Sequence, residues 1–288
     1  MSAGDDPQRI LVVLPNWLGD VVMAGPCLRA LRGRYPDATI DLLGRPTAAA
    51  LLDGAPWFDG FVPWRTQRTR WRALVRRLRR PRYDLAVLLT NSFRSALVAW
   101  LAGARRRVGY RRSARGPLLS DLLSWPRQPV PQIDAYLALA AACGCEQFSG
   151  RMELFVTPDD RRAAEGAIAA MGSRPRVLVN PGSQRPSKRW PADRFAAVAD
   201  ALIDRRGADL SVVCGPGEES LARAVAAAAT HRVRVLDDPI VPLGGLKALI
   251  GQADLLVSND SGPYHVARAM GTPVVAIFGP VGPEHTAA

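Results

Sequence analysis

The sequence predicts an α/β protein built from two doubly wound domains in tandem. Three observations carry that reading. Short apolar runs alternate with longer helical patterns from one end of the chain to the other. The runs are rich in Val, Ile and Leu without clean polar alternation, as parallel strands covered on both faces are. The alternation also restarts near residue 176, and 288 residues suit two domains of about 140 residues each better than one core.

The strand candidates are residues 10–14, 39–43, 85–89, 177–179, 210–214, 255–258 and 274–278. Helical patterns lie between them, at 21–31, 194–205, 221–229 and 265–270. Residues 154–175 hold a Pro-Asp-Asp turn, a helix rich in Ala and Arg, and a Gly-Ser-Arg-Pro break. The domain boundary is placed in this stretch, giving domains 1–160 and 161–288. Two such domains leave a cleft between the carboxyl ends of two sheets, where ligands bind.

Hydrophobic residues make up 48% of the chain, enough for each half to bury its own core. No apolar stretch approaches the roughly 20 residues needed to span a bilayer. Residues 10–15 are too few for a signal-peptide core and follow acidic rather than basic residues, so a cytoplasmic location is expected. Four cysteines fit neither a disulfide framework nor a zinc site, and Cys143-Gly144-Cys145 reads as two reduced thiols. The net charge of +12 is unevenly spread: residues 65–115 hold sixteen arginines and one acid, Asp84. Concentrated on one domain, that charge would attract phosphates, anionic lipid or nucleic acid.

Three segments carry chemistry. Pro15-Asn16-Trp17-Leu18-Gly19-Asp20 follows the first strand and turns into a helix. It lacks the G-x-G-x-x-G pattern of dinucleotide sites, so Asp20 is either a helix N-cap or a carboxylate at the cleft mouth. Asn180 to Pro191 follows the first strand of the second domain. Its small and hydroxyl residues let backbone N–H groups approach a phosphate, and Lys188 adds a compact charge. A solvated polar loop is the alternative. Ser258-Asn259-Asp260-Ser261-Gly262-Pro263-Tyr264-His265 again turns a strand into a helix, whose start suits a diphosphate. Asp260 would repel phosphate, so a sugar hydroxyl or a capping bond is expected of it. His265 is either structural or a ligand contact. Two weaker elements are Cys214-Gly215-Pro216-Gly217-Glu218-Glu219, where a carboxylate suits ribose hydroxyls, and the final loop from Gly279 to Thr286.

The order N-x-L-G-D, P-G-S…K-R-W-P and N-D-S-G-x-x-H-x-A followed by G-P-x-x-P-x-x-T resembles the ADP-heptose:lipopolysaccharide heptosyltransferases, glycosyltransferase family 9. The likeness covers nearly the whole chain and is nearer the second heptosyltransferase than the first. It implies a GT-B fold of two facing Rossmann-like domains, the first binding acceptor and the second the nucleotide sugar. By that resemblance Asp20 is the general base. Ser183, Gln184 and Lys188 form the phosphate loop, and Glu219 holds the nucleotide ribose. Asp260, Ser261, Gly262 and His265 form the donor-binding helix start. The family continues for several elements beyond the segment with which this sequence ends at Ala288. The resemblance therefore implies a shortened C-terminal domain, either as a fragment or as a naturally short protein.

The expected reaction is inverting transfer of heptose from ADP-heptose to a lipid-A-core acceptor. Asp20 takes the hydroxyl proton, a role worth roughly 10²–10⁴-fold in rate. A carboxylate near a helix N-terminus is stabilised as the anion and is a weaker base for it. Lys188 and the helix start at Ser261 would stabilise the leaving diphosphate. No D-x-D sequence occurs, so no metal and no cofactor are expected.

Trp71, Leu74, Val75 and Leu78 fall on one helical face with Arg72, Arg76, Arg77, Arg79 and Arg80 beside them. Such a helix suits an anionic membrane surface, and equally an ordinary half-buried helix with a solvated face. Peripheral attachment at the inner face of the inner membrane follows from the first reading. Nucleic acid is not expected as a partner, since no recognition motif accompanies the charge, and a monomer is the default. Rival functions are another GT-B nucleotide-sugar transferase or an epimerase, or a non-catalytic binder of nucleotide or anionic lipid.

Overall fold

The computed structural model describes residues 6–65, 71–146, 149–172, 175–279 and 282. The chain forms two compact units, one running up to Met152 and the other beginning at Glu153. The first holds strands β1 (Arg9–Val13), β2 (Thr39–Gly44), β3 (Gly60–Pro63), β4 (Leu85–Leu88), β5 (Arg106–Tyr110) and β6 (Asp121–Leu123). They form one sheet in the order β3-β2-β1-β4-β5-β6, parallel throughout. Helices α1 (Leu18–Arg34), α2 (Pro46–Leu52), α3 (Trp71–Arg79), α4 (Phe93–Leu101) and α5 (Gln132–Ala142) connect them.

The second unit repeats the plan. Strands β7 (Arg176–Asn180), β8 (Asp209–Val213), β9 (Arg234–Leu236), β10 (Leu255–Asn259) and β11 (Val274–Ile277) order as β11-β10-β7-β8-β9, all parallel. Its helices are α6 (Pro158–Ala170), α7 (Ala192–Arg206), α8 (Glu219–Ala228), α9 (Leu243–Ile250) and α10 (Gly262–Met270). In each sheet the strand order reverses beside the first strand, between β1 and β4 and between β7 and β10. There the crossovers leave in opposite directions and open a crevice at the strands' carboxyl ends.

The central strands bury both faces. Ile10, Leu11, Val12 and Val13 have no solvent exposure, and neither do Leu178, Val179 and Leu256. Register follows from these runs: Ile10 lies between Ile40 and Leu85, and Leu256 between Leu178 and Val274. Four strands escape the apolar pattern. β3, β6 and β9 are short edge strands, and β5 opens with Arg106 and Arg107. Arg106 reaches Asp121 and the Ala142 carbonyl, while Arg107 reaches the Leu118 carbonyl. Polar residues at the rim of a sheet thus hide strands from a hydrophobicity reading.

The Pro158-Asp159-Asp160 segment read as a turn is the first turn of α6. Thr157 caps it in a reciprocal box with Asp160, and Asp160 also pairs with the fully buried Lys247 of α9 at 3.0 Å. Pro191 is the N-cap of α7. All four cysteines are free thiols. Burial raises Cys143 to about 12 and Cys145 to about 11, so neither is a reactive thiolate at neutral pH. Among the described residues no helix is long and apolar enough to cross a membrane.

Phe195 of α7 is fully buried and its ring meets Trp190 edge-on at 5.2 Å, so it anchors the loop after β7 to the core. Phe195→Ala is expected to cost about 3–5 kcal/mol, read by urea denaturation. A loss below about 1 kcal/mol would contradict this packing role.

Candidate active site

At the crevice of the second sheet, the loop after β7 meets the loop after β10. The asparagines that end the two strands hold them together. The Asn180 amide donates to the Gly182 carbonyl (3.2 Å) and to the hydroxyls of Ser258 and Ser261, both at 2.9 Å. Asn259 donates to the Pro181 carbonyl at 2.7 Å and accepts from the Trp190 N–H at 3.1 Å. Asn180, Ser258 and Asn259 are buried, so these bonds replace lost water contacts and fix the loop shape.

The residues singled out from the sequence fall around this network. Ser183 is buried and its carbonyl accepts from Arg189 Nε at 2.7 Å. Gln184 is exposed. Lys188 ends a short 3₁₀ turn, Pro186–Lys188, and its ammonium pairs with the buried carboxylate of Asp260. Among the described residues the side-chain partner of Asp260 is Lys188. An ammonium has three donors, so Lys188 keeps two for another ligand.

Ser261 is the N-cap of α10 but makes no side-chain capping bond, because its hydroxyl is turned to Asn180. The first N–H groups of α10, beginning at Gly262, therefore lack a side-chain cap. A helix start in that condition is an anion-binding element. His265, one turn in, is 4% exposed. Burial lowers its pKa to about 4, with Arg268 and Lys188 acting in the same direction and Asp260 opposing. It is neutral at pH 7, and its Nδ1 has no hydrogen-bond partner among the described residues.

The carboxylates of Glu218 and Glu219 have different partners. The Glu219 carboxylate accepts from the Gly217 N–H at 3.1 Å, and its own N–H and that of Gly217 hold its pKa below the usual range. Glu218 instead turns towards the phosphate loop. Its carboxylate accepts from the Gly215 N–H at 3.1 Å and presses so closely on Gly182 that a Cβ there would lie 2.1 Å from Oε2. Two adjacent glutamates gave no sign in the sequence of which would face the loop. Of the final loop, only Gly279 and Gly282 are within the described residues.

In the first unit, Asp20 lies at the third position of α1 and Trp17 is the N-cap, without a side-chain capping bond. Asp20 is therefore not the cap. It is partly buried near Tyr136 of α5, whose pKa is raised by burial and, secondarily, by the Asp20 charge. The loop after β4, on the strand beside β1, is clamped by Arg115, a fully buried cation absent from the sequence reading. Its guanidinium donates to the Tyr110 carbonyl (2.9 Å), to Asn91 Oδ1 (3.0 Å) and to the Thr90 carbonyl. No carboxylate pairs with it among the described residues, and desolvation lowers its pKa to about 10. Among the described residues no three His, Cys, Asp or Glu side chains gather as a metal site.

Comparison with known proteins gives a consistent set of relatives. A family model described as glycosyltransferase family 9 (heptosyltransferase) matches residues 71–288. Lipopolysaccharide heptosyltransferase 2 of Escherichia coli K12 is 30% identical, the match covering 97% of this chain and 85% of that protein. The structure of E. coli ADP-heptose LPS heptosyltransferase II superposes with a TM-score of 0.84 at 30% identity, covering 96% of this chain and 87% of that one. A family 9 glycosyltransferase from Veillonella parvula gives 0.87 at 26% identity, covering 96% and 82%. The fold is accordingly GT-B, with two Rossmann-like units.

The buried neutral His265 has a consequence for stability. A histidine lowered from 6.5 to about 4 binds its proton in the unfolded chain first. Its contribution is therefore complete above pH 6.5 and is lost as pH falls towards 4. Urea denaturation at pH 7 and 4.5 should show the wild type losing about 2–3 kcal/mol more than His265→Gln. Equal losses in both would contradict a buried neutral imidazole.

Proposed function

This chain belongs to glycosyltransferase family 9, the heptosyltransferases, and from that premise we propose that it transfers heptose from ADP-heptose to the inner core of lipopolysaccharide. It is a glycosyltransferase, and its second unit is the donor side. The observation that carries this assignment is the convergence of the Asn180–Pro191 loop and the uncapped start of α10. Together they offer backbone N–H groups, the helix dipole and one ammonium to a diphosphate.

Lys188 bridges Asp260 and the leaving diphosphate, using donors left free by the ion pair. Asp260 then faces the sugar side of that bridge. Ser183, Gln184, Ser261 and Gly262 line the phosphate contacts. Neutral His265 packs behind them as a hydrogen-bonding group, not as a charge. For the ribose, Glu219 is the residue the family motif assigns, and Glu218 is the one packed against Gly182.

The first unit takes the acceptor. Its hydroxyl oxygen attacks the anomeric carbon as the bond to the diphosphate oxygen breaks on the opposite face. ADP leaves with that electron pair, and Asp20 accepts the hydroxyl proton. The oxocarbenium-like transition state lets proton removal come late, which tolerates a carboxylate whose basicity the helix start reduces. Preorganised positive charge around the leaving group then carries the larger share of catalysis.

Acceptors of this class are anchored in a bilayer, and the α3–α4 surface fits one that is anionic. Arg72, Arg76, Arg77 and Arg79 of α3 are exposed, while Leu74 and Leu78 are buried. Phe93 and Trp100 of α4 are exposed by 48% and 49%. A hollow of about 380 Å³ lies between Trp71, Arg72, Val75, Arg76, Arg79 and Leu101. Aromatic side chains rimmed by arginine suit a headgroup layer. Attachment would then be peripheral, by a monomer.

The test of the transferase reading is acceptor-dependent ADP release at saturating ADP-heptose. Asp20→Ala should lower kcat by at least about a hundredfold while leaving ADP affinity intact. Full activity in the variant would remove Asp20 from the base role. For the membrane face, Arg72, Arg76 and Arg79 changed together to Gln should weaken binding to anionic vesicles by about a hundredfold, at roughly 1 kcal/mol per arginine. Unchanged binding would place the docking face elsewhere.

A further inference from the structure

Beside Asp20 is a feature that neither the phosphate loops nor the membrane face uses. Trp17 caps α1 at the carboxyl end of β1 and leaves 52% of its surface exposed. Among the described aromatic side chains only Trp17, Phe93 and Trp100 are exposed, and covering the indole with a ligand removes apolar surface from water. Arg45 follows β2, the neighbour of β1, and is the N-cap of α2. Its guanidinium lies 5.7 Å over the Trp17 ring, within cation–π range. Arg45 is exposed and forms no ion pair among the described residues. The pair thus joins a flat apolar face to an unneutralised planar cation, on the same strand edge and loop as the carboxylate.

We propose that Trp17 and Arg45 form an acceptor subsite: the indole stacks on the apolar face of the acceptor sugar, and Arg45 binds an anionic substituent of that acceptor, a carboxylate or a phosphate. This rests on the reading of the chain as a transferase with a sugar acceptor. The chemistry fits both halves of the pair. A sugar ring presents C–H groups on one face and hydroxyls at its edge, so an aromatic plate holds it without competing for the hydroxyl that Asp20 must reach. The guanidinium fork matches carboxylate and phosphate geometry in two parallel hydrogen bonds, which a lysine does not reproduce. Held over the ring, Arg45 loses less freedom on binding than an unrestrained arginine does. The subsite selects acceptor and leaves donor binding to the other unit.

The experiment uses a deacylated lipid-A-core oligosaccharide as probe. Its affinity is measured by calorimetry without donor, and its KM and kcat at saturating ADP-heptose. Trp17→Ala and Arg45→Gln should each raise acceptor Kd and KM by about tenfold or more, the size of one good contact. The fall in kcat should be smaller than the rise in KM, and ADP affinity should match the wild type. Trp17→Phe should recover most of the loss, whereas Arg45→Lys should recover little. Phosphatase treatment of the probe separates the sources. If it erases the Arg45→Gln effect the bound group is a phosphate, and if the effect persists the group is a carboxylate. Acceptor Kd and KM within about twofold of wild type in both alanine and glutamine variants would overturn the subsite while leaving the transferase reading intact. A wild type that neither binds the oligosaccharide nor transfers to it would overturn both. Binding without transfer leaves the Kd comparison to decide the subsite alone.

Discussion

The hydrogen bonds of Asn180 and Asn259 are the constraint on which the proposed donor site depends. These residues end two neighbouring strands from which the chain departs in opposite directions, so nothing in the sheet ladder holds the departing loops together. Side-chain amides do that work. Each reaches across to the other loop, and each is buried where an unmade hydrogen bond would cost about 1–3 kcal/mol. The geometry of the phosphate loop is therefore set by the strand ends beneath it. One of those bonds turns the Ser261 hydroxyl away from its own helix, so the same interaction that closes the loops also leaves the start of α10 without a cap.

Charge is arranged differently in the two units. Around the loops after β7 and β10, Lys188 is paired with Asp260 and His265 is neutral. The other cations of the first unit lie at the surface or, like Arg106 and Arg107 of β5, are half-buried, whereas Arg115 is fully buried. That residue has no counter-ion among the described residues and lies after the carboxyl end of β5, bound to the loop after β4. It sets loop shape through carbonyl and amide oxygens rather than through a carboxylate partner. An arginine in this role is hard to replace, since its planar donors serve several acceptors at once.

Much of this was legible in the sequence, for identifiable reasons. The seven strands read from apolar runs are those whose cores are Val, Leu and Ile, and their positions put the three motifs on strand ends. β3, β5, β6 and β9 were not legible, because edge strands and arginine-led strands carry too few apolar residues to register. Within the candidate site, residue types gave an expectation of anion binding but not the internal pairing of the loop. The ion pair of Asp260 with Lys188, seventy-two residues away in the chain, left no local trace. The choice between Glu218 and Glu219 depends on the turn at Gly217, and the burial of Arg115 on long-range packing. Neither leaves a local trace.

The most direct test of the account is the mass of the acceptor itself. A heptose-deficient core acceptor is incubated with ADP-heptose and the purified chain, and the product is read by mass spectrometry together with the ADP released. The account predicts one heptosyl residue added per ADP, with the new linkage of inverted anomeric configuration. Release of free heptose, or ADP-heptose bound with no change in acceptor mass, would contradict it.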